Sequence, residues 1–138
     1  MEEDKFISKK QIKYIVIHCS DTDENDTAED IHKLHLDFGW DGIGYHKIIT
    51  KNGEVQNGRP EFWKGAHVYG HNHESLGICL IGNSNFKKKQ FDTLKTLLIN
   101  WKKKYPSATI LGHRDFKNTK KTCPNFDVNS WLLKNKLI

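Results

Sequence analysis

Apolar residues in this chain come in short blocks set between polar stretches, and the period of each block predicts an element. Residues 12–19 run nearly unbroken in β-branched and aromatic side chains, the pattern of a buried strand. Thr27-Ala28-Glu29-Asp30 has the form of a capping box with Asp in place of Glu. Ile31, Leu34 and Phe38 then recur on one predicted helical face, and Gly39 is the expected stop. Residues 45–50 and 54–57 flank Lys51-Asn52-Gly53, and Asn-Gly between two extended runs predicts a hairpin. Residues 59–75 lack a period and are rich in Gly, His and Asn, which predicts a long surface loop of the kind that carries function. Residues 76–82 predict a second buried strand. The clearest helix is 90–105, with Phe91, Leu94, Leu97, Leu98, Trp101 and Tyr105 on one stripe. Residues 109–112 form a short predicted strand ending at His113, and Asp127 is expected to cap a last helix carrying Trp131 and Leu132.

Strands alternating with helices, plus one hairpin, give an α/β fold: a single domain with a central mixed sheet flanked by helices. No repeat or linker divides the 138 residues. Residues 1–11 are polar and expected to be loosely held, and 12–138 form the domain. Hydrophobic residues make up only 36%, but four Trp, four Tyr and seven Phe supply large surfaces to bury. No run approaches the roughly 20 apolar residues of a membrane span, and Met1 to Lys5 lacks the look of a secretory signal. A soluble chain, cytoplasmic on synthesis and without a membrane partner, is expected. Three cysteines, an odd number, argue against a disulfide framework and leave thiols for a metal or the core. The net charge of +5 favours an anionic partner, nucleic acid or bacterial wall. Its lysine triplets, 87–89 and 102–104, read as solvated helix ends. No nucleic-acid motif accompanies them, so no specific nucleic-acid partner is expected.

Candidate chemistry lies in His18 and, far along the chain, in Gly112-His113-Arg114-Asp115 and Lys121-Thr122-Cys123-Pro124. Two histidines and a cysteine are the three protein ligands of an open catalytic zinc site. His18 and His113 each end a predicted strand, where ligand sites of open α/β sheets gather. Neighbours on a strand point to opposite faces, so Cys19 is assigned to the core, as is Cys79. Cys123 lies in a polar, lysine-rich loop, which predicts a lowered thiol pKa. His46 should face away from Tyr45, and His32 and His35 are expected on the surface of the first helix. On residue type alone, His18 and His113 read more readily as core histidines than as ligands. Tyr45 is then compatible with a packed strand tyrosine and Lys121 with a surface lysine.

The strings Ile17-His18-Cys19-Ser20, Gly39-Trp40, Gly44-Tyr45-His46, Asn52-Gly53, Gly58-Arg59, His67, Asn72-His73, Ser75-Leu76-Gly77, His113 and Lys121-Thr122-Cys123-Pro124 occur in an order that resembles the zinc-dependent N-acetylmuramoyl-L-alanine amidases. The likeness covers about residues 12 to 134 and is nearest to the short phage lysozyme, or endolysin, type. It implies the fold shared with peptidoglycan recognition proteins. It also implies one Zn²⁺ per chain on His18, His113 and Cys123, with Tyr45 and Lys121 catalytic and His67, Trp40 and Asn72 binding substrate. The implied reaction is hydrolysis of the amide between the lactyl group of N-acetylmuramic acid and L-alanine in peptidoglycan, by a monomer acting on the wall after release. The alternatives it leaves are a non-catalytic peptidoglycan-binding protein and an added regulatory contact with a phage-type RNA polymerase. Retention of Cys123 favours the enzyme, because recognition proteins that only bind characteristically lose that ligand.

Overall fold

The computed structural model describes residues 5–117 and 119–138. Its two most continuous apolar blocks become β1 (Tyr14–Cys19) and β4 (Ser75–Leu80), which pair in parallel with Ile17 opposite Ile78 and His18 opposite Cys79. Such strands are covered on both faces, which is why they read as unbroken runs rather than as alternating ones. β2 (Lys47–Ile49) pairs parallel to β4 and antiparallel to β3 (Val55–Asn57) through the predicted hairpin. At its turn Gly53 takes φ +82° and donates its N–H to the Thr50 carbonyl at 2.8 Å. β5 (Thr109–Gly112) pairs parallel to β1 up to Ile17 opposite Gly112. The mixed sheet thus runs β3-β2-β4-β1-β5.

α1 (Ala28–Asp37), α2 (Lys88–Lys104) and α3 (Val128–Lys134) complete the α/β domain. Strand parity sorts the core. Ile15, Ile17, Leu76, Ile78 and Leu80 pack with Leu94, Leu98 and Trp101 of α2 and Leu132 of α3. Val16 lies on the other face with Val68 and Phe116, while Ile48, Cys79 and Ile81 pack with Ile31 of α1. His18 shares the parity of Val16 and therefore opens away from α2.

Two expectations are corrected here. α1 is capped as predicted, with Thr27 N–H donating to Asp30 Oδ2 at 2.8 Å, but it buries Ile31 and His35 rather than Ile31, Leu34 and Phe38. Leu34 and Phe38 are 37% and 57% exposed. His35, expected on the surface, is buried because its Nδ1 accepts the Gly44 N–H at 2.9 Å, so the imidazole is paired where it enters the core. Of the segment ahead of β1, residues 5–11 are docked rather than loose, and residues 1–4 lie outside the described residues. Phe6 bridges Trp63 in antiparallel fashion, Ile7 enters the core, and Ile7 N–H donates to the Phe62 carbonyl at 2.9 Å.

Candidate active site

β1 and β5 are adjacent and parallel, so their C-terminal ends deliver His18 and His113 side by side, with ring centroids 4.7 Å apart. After β5 the chain closes into a 3-10 turn, His113–Asp115, in which Asp115 Oδ2 accepts the Gly112 N–H at 2.8 Å. Arg114 N–H then donates to the Cys123 carbonyl at 2.8 Å, folding the 119–125 loop back over the turn. Glycine is required at 112: a Cβ there would lie 2.9 Å from Val128 Cγ2 and 3.0 Å from Pro124 Cδ. Packed this way, Cys123 Sγ accepts the Cys19 N–H at 2.9 Å. The donor atoms of His18, His113 and Cys123 all lie within 4.8 Å of one another, the one such group among the described residues. Two imidazoles and a thiol suit zinc, and three donors facing a cavity of about 580 Å³ leave a coordination position open. This group can hold a metal ion.

The electrostatics favour metal binding at both imidazoles. Burial first, then the neighbouring His67 and His113, hold His18 well below the ordinary histidine value. Burial and the Lys121 ammonium bring His113 to about 4. Both rings are neutral at pH 7, the form that ligates. Cys123 departs from the sequence expectation. The neighbouring Cys19 thiol and burial push it up, not down, because the lysines of its loop face solvent while its sulfur points inward. A metal must therefore displace its proton. Cys19 also differs from expectation: it is buried, yet it lines the cavity beside Cys123 while staying outside the donor group. Tyr45 packs its ring 5.2 Å from that of His18, and burial with the Cys79 and Cys123 thiols pushes its phenol well above its ordinary value.

Comparison with known proteins decides the family. Residues 8–126 match the sequence profile of the family described as N-acetylmuramoyl-L-alanine amidase. The chain belongs to that family. The amidase is 35% identical over 144 residues to the endolysin of Escherichia phage T7, covering 97% of this chain and 94% of that protein. Its fold matches the N-acetylmuramoyl-L-alanine amidase LysC from Clostridium intestinale URNW with a TM-score of 0.82 at 34% identity, over 94% of this chain and 88% of that one. It also matches bumblebee PGRP-SA with a TM-score of 0.81 at 29% identity, over 94% and 84% of the two chains.

The remaining expected residues of the amidase take distinct positions. Trp40 is 41% exposed and stands with its ring 4.6 Å from that of His35, forming a wall of the large cavity. A second cavity of about 390 Å³ adjoins the first, and Trp40, His67, His113 and Lys121 line both, so the two make one groove across the donor group. Asn72 borders the groove, but its Oδ1 accepts the N–H groups of both His67 and Val68 at 2.9 Å, so it shapes the loop. His67 also differs from a groove residue that offers its ring to substrate. It is 8% exposed, and both ring nitrogens are engaged, with His18 Nε2 at 2.8 Å and Ser75 Oγ at 3.3 Å. His46, expected to face away from Tyr45, does not line the cavity that Tyr45 lines; its Nδ1 accepts the Gly77 N–H at 3.0 Å and its Nε2 donates to the Trp63 carbonyl at 2.7 Å, fastening the 58–74 loop to β4. Sequence reading missed the parts played by His46 and Ser75. The Gly44-Tyr45-His46 and Ser75-Leu76-Gly77 strings marked the places but not the partners.

Proposed function

We propose that this amidase uses one zinc ion, held by His18, His113 and Cys123, to hydrolyse the amide between the lactyl group of N-acetylmuramic acid and L-alanine in peptidoglycan. The observation that carries the reading is the convergence of those three donors at the centre of an open groove. Bound zinc supplies a water acidified to a pKa of about 7 and an electrophilic pull on the scissile carbonyl.

The chain's own residues complete the chemistry. Attack on the amide carbon builds negative charge on its oxygen, and the Lys121 ammonium, whose field reaches both His18 and His113, is the cation available to stabilise it. Tyr45 stays a protonated phenol throughout the neutral range and so acts as a hydrogen-bond donor that orients substrate or water, not as a base. On this reading Lys121 supplies charge and Tyr45 direction, two roles that residue type alone left mixed. Trp40 and the exposed Leu34 and Phe38 offer apolar contact for the substrate on the α1 side of the groove.

Likeness along its whole length to phage endolysins supports a role in lysis, with the protein reaching the wall after release. Among the described residues no helix is long and apolar enough to cross a membrane. The deciding experiment is mass spectrometry of purified sacculi digested by zinc-loaded protein. Peptides carrying a newly exposed N-terminal alanine are expected, and they should vanish with Cys123→Ala. Binding to sacculi without any alanine-terminated product would instead establish a recognition protein. Co-purification with a phage-type RNA polymerase tests the additional partner implied by the resemblance.

A further inference from the structure

We propose that His67 is the positioning residue that holds His18 in the tautomer with its Nδ1 lone pair free for the metal. The inference rests on the zinc reading above and adds to it which atom of His18 binds and what keeps it there.

Proton accounting along one buried chain of contacts carries the argument. Ser75, fully buried, places its Oγ 2.8 Å from the His71 carbonyl, which can only accept, so the single hydroxyl proton is committed there. Ser75 Oγ can then meet His67 Nε2, at 3.3 Å, only as an acceptor, which puts the His67 proton on Nε2. His67 is buried among histidines with no carboxylate among its hydrogen-bond partners, so its ring is neutral and its Nδ1 carries no proton. His18 Nε2, 2.8 Å from that Nδ1, must therefore be the donor. A neutral His18 with its proton on Nε2 presents an unprotonated Nδ1. Metal-bound histidines characteristically have their other ring nitrogen fixed in this way by a second group.

The surroundings are shaped to keep the His67 ring in place. A Cβ on Gly77 would lie 2.8 Å from His67 Nδ1, and one on Gly65 would lie 2.5 Å from His67 Cδ2, so two glycines make the slot in which the ring sits. Asn72 Oδ1 fixes the His67 backbone from the other side. These features hold a ring in one orientation, which a side chain that only touches substrate does not require.

Long-range ¹H–¹⁵N spectra of the histidine rings, together with zinc affinity by chelator competition, test the proposal. In the metal-free wild type, His18 and His67 are both expected with the proton on Nε2. His67→Ala should release the His18 tautomer and weaken zinc binding about 10- to 100-fold. His67→Asn, whose Oδ1 can replace the lost acceptor, should restore most of the affinity. Ser75→Ala should leave His67 in mixed tautomers. The proposal is overturned if metal-free wild type carries the His18 proton on Nδ1. It is equally overturned if folded His67→Ala binds zinc within threefold of wild type. Should His67→Ala fail to fold, the wild-type spectrum still decides. If wild type takes up no zinc, the metal reading fails, whereas the tautomer measurement on the metal-free protein stands apart from it.

Discussion

Lys121 and Cys123 lie two residues apart in opposite surroundings, and the contrast predicts opposite responses to substitution. Lys121 is exposed and touches the centre through its charge, so Lys121→Met should leave zinc content and folding unchanged while lowering kcat about 10²- to 10³-fold, as loss of an oxyanion partner does. Metal analysis beside single-turnover kinetics checks this; loss of zinc from that variant would assign the lysine a different part. Cys123 sits turned inward against Cys19, so Cys123→Ala should remove near-stoichiometric zinc and activity together. Tyr45→Phe should keep the zinc and lose rate. Because burial keeps the phenol protonated well past its ordinary value, the wild-type pH–rate profile should show no limb from tyrosine ionisation between about pH 7 and 9. At this scale residue types were informative but pKa directions were not. The lysines around Cys123 are visible in sequence, whereas the buried thiol beside it is brought there by β1, a hundred residues earlier.

Among the elements, α1 shows why a hydrophobic period establishes a helix more securely than the face it buries. Ile31, Leu34 and Phe38 keep the right spacing, yet Leu34 and Phe38 turn toward the groove with Trp40, and an imidazole takes the inner place. Apolar side chains that line a groove look the same in sequence as those held in for the core. The hairpin was legible because Asn-Gly chemistry is local. Gly53 there has φ +82°, and a Cβ on it would come 2.8 Å from the Lys89 carbonyl of α2. Gly53→Ala should therefore destabilise the fold by about 1–3 kcal/mol. Urea unfolding checks the loss, and specific activity per folded molecule should stay near wild type because the turn is remote from the donor group. The 58–74 loop depends on a contact the sequence does not reveal, the His46 bridge from Trp63 to Gly77. His46→Ala should speed hydrogen exchange in that loop before it affects β4.

For the molecule as a whole, the unusual quantity is buried imidazole: five of the eight histidines are buried. His35, His46 and His113 are held at about 4, chiefly by burial, and His18 and His67 are also lowered. An unfolded chain takes up these protons near 6.5 while the folded chain refuses them down to about 4. Stability of the metal-free protein is therefore full above pH 6.5 and falls as pH drops from there toward 4, with His46 alone contributing about 3 kcal/mol at about 1.4 kcal/mol per pH unit. Urea midpoints at pH 7.5, 6 and 5 should decline in order, and equal midpoints would contradict the burial. The architecture itself was legible, since strands, helices and their order follow from local periods. The pairing of β1 with β5 that makes one centre of His18 and His113 is a long-range fact, reached in sequence only through the family resemblance. That pairing also sets a calendar for the chain as it leaves the ribosome. All five strands are present once Gly112 has been made, whereas Lys121 and Cys123 follow afterward. A chain made as far as His113 holds every strand and both histidines, whereas one side of the groove and the third donor, Cys123, come from a later stretch. Translation that stops between His113 and Cys123 leaves a product with the five strands and two of the three donors.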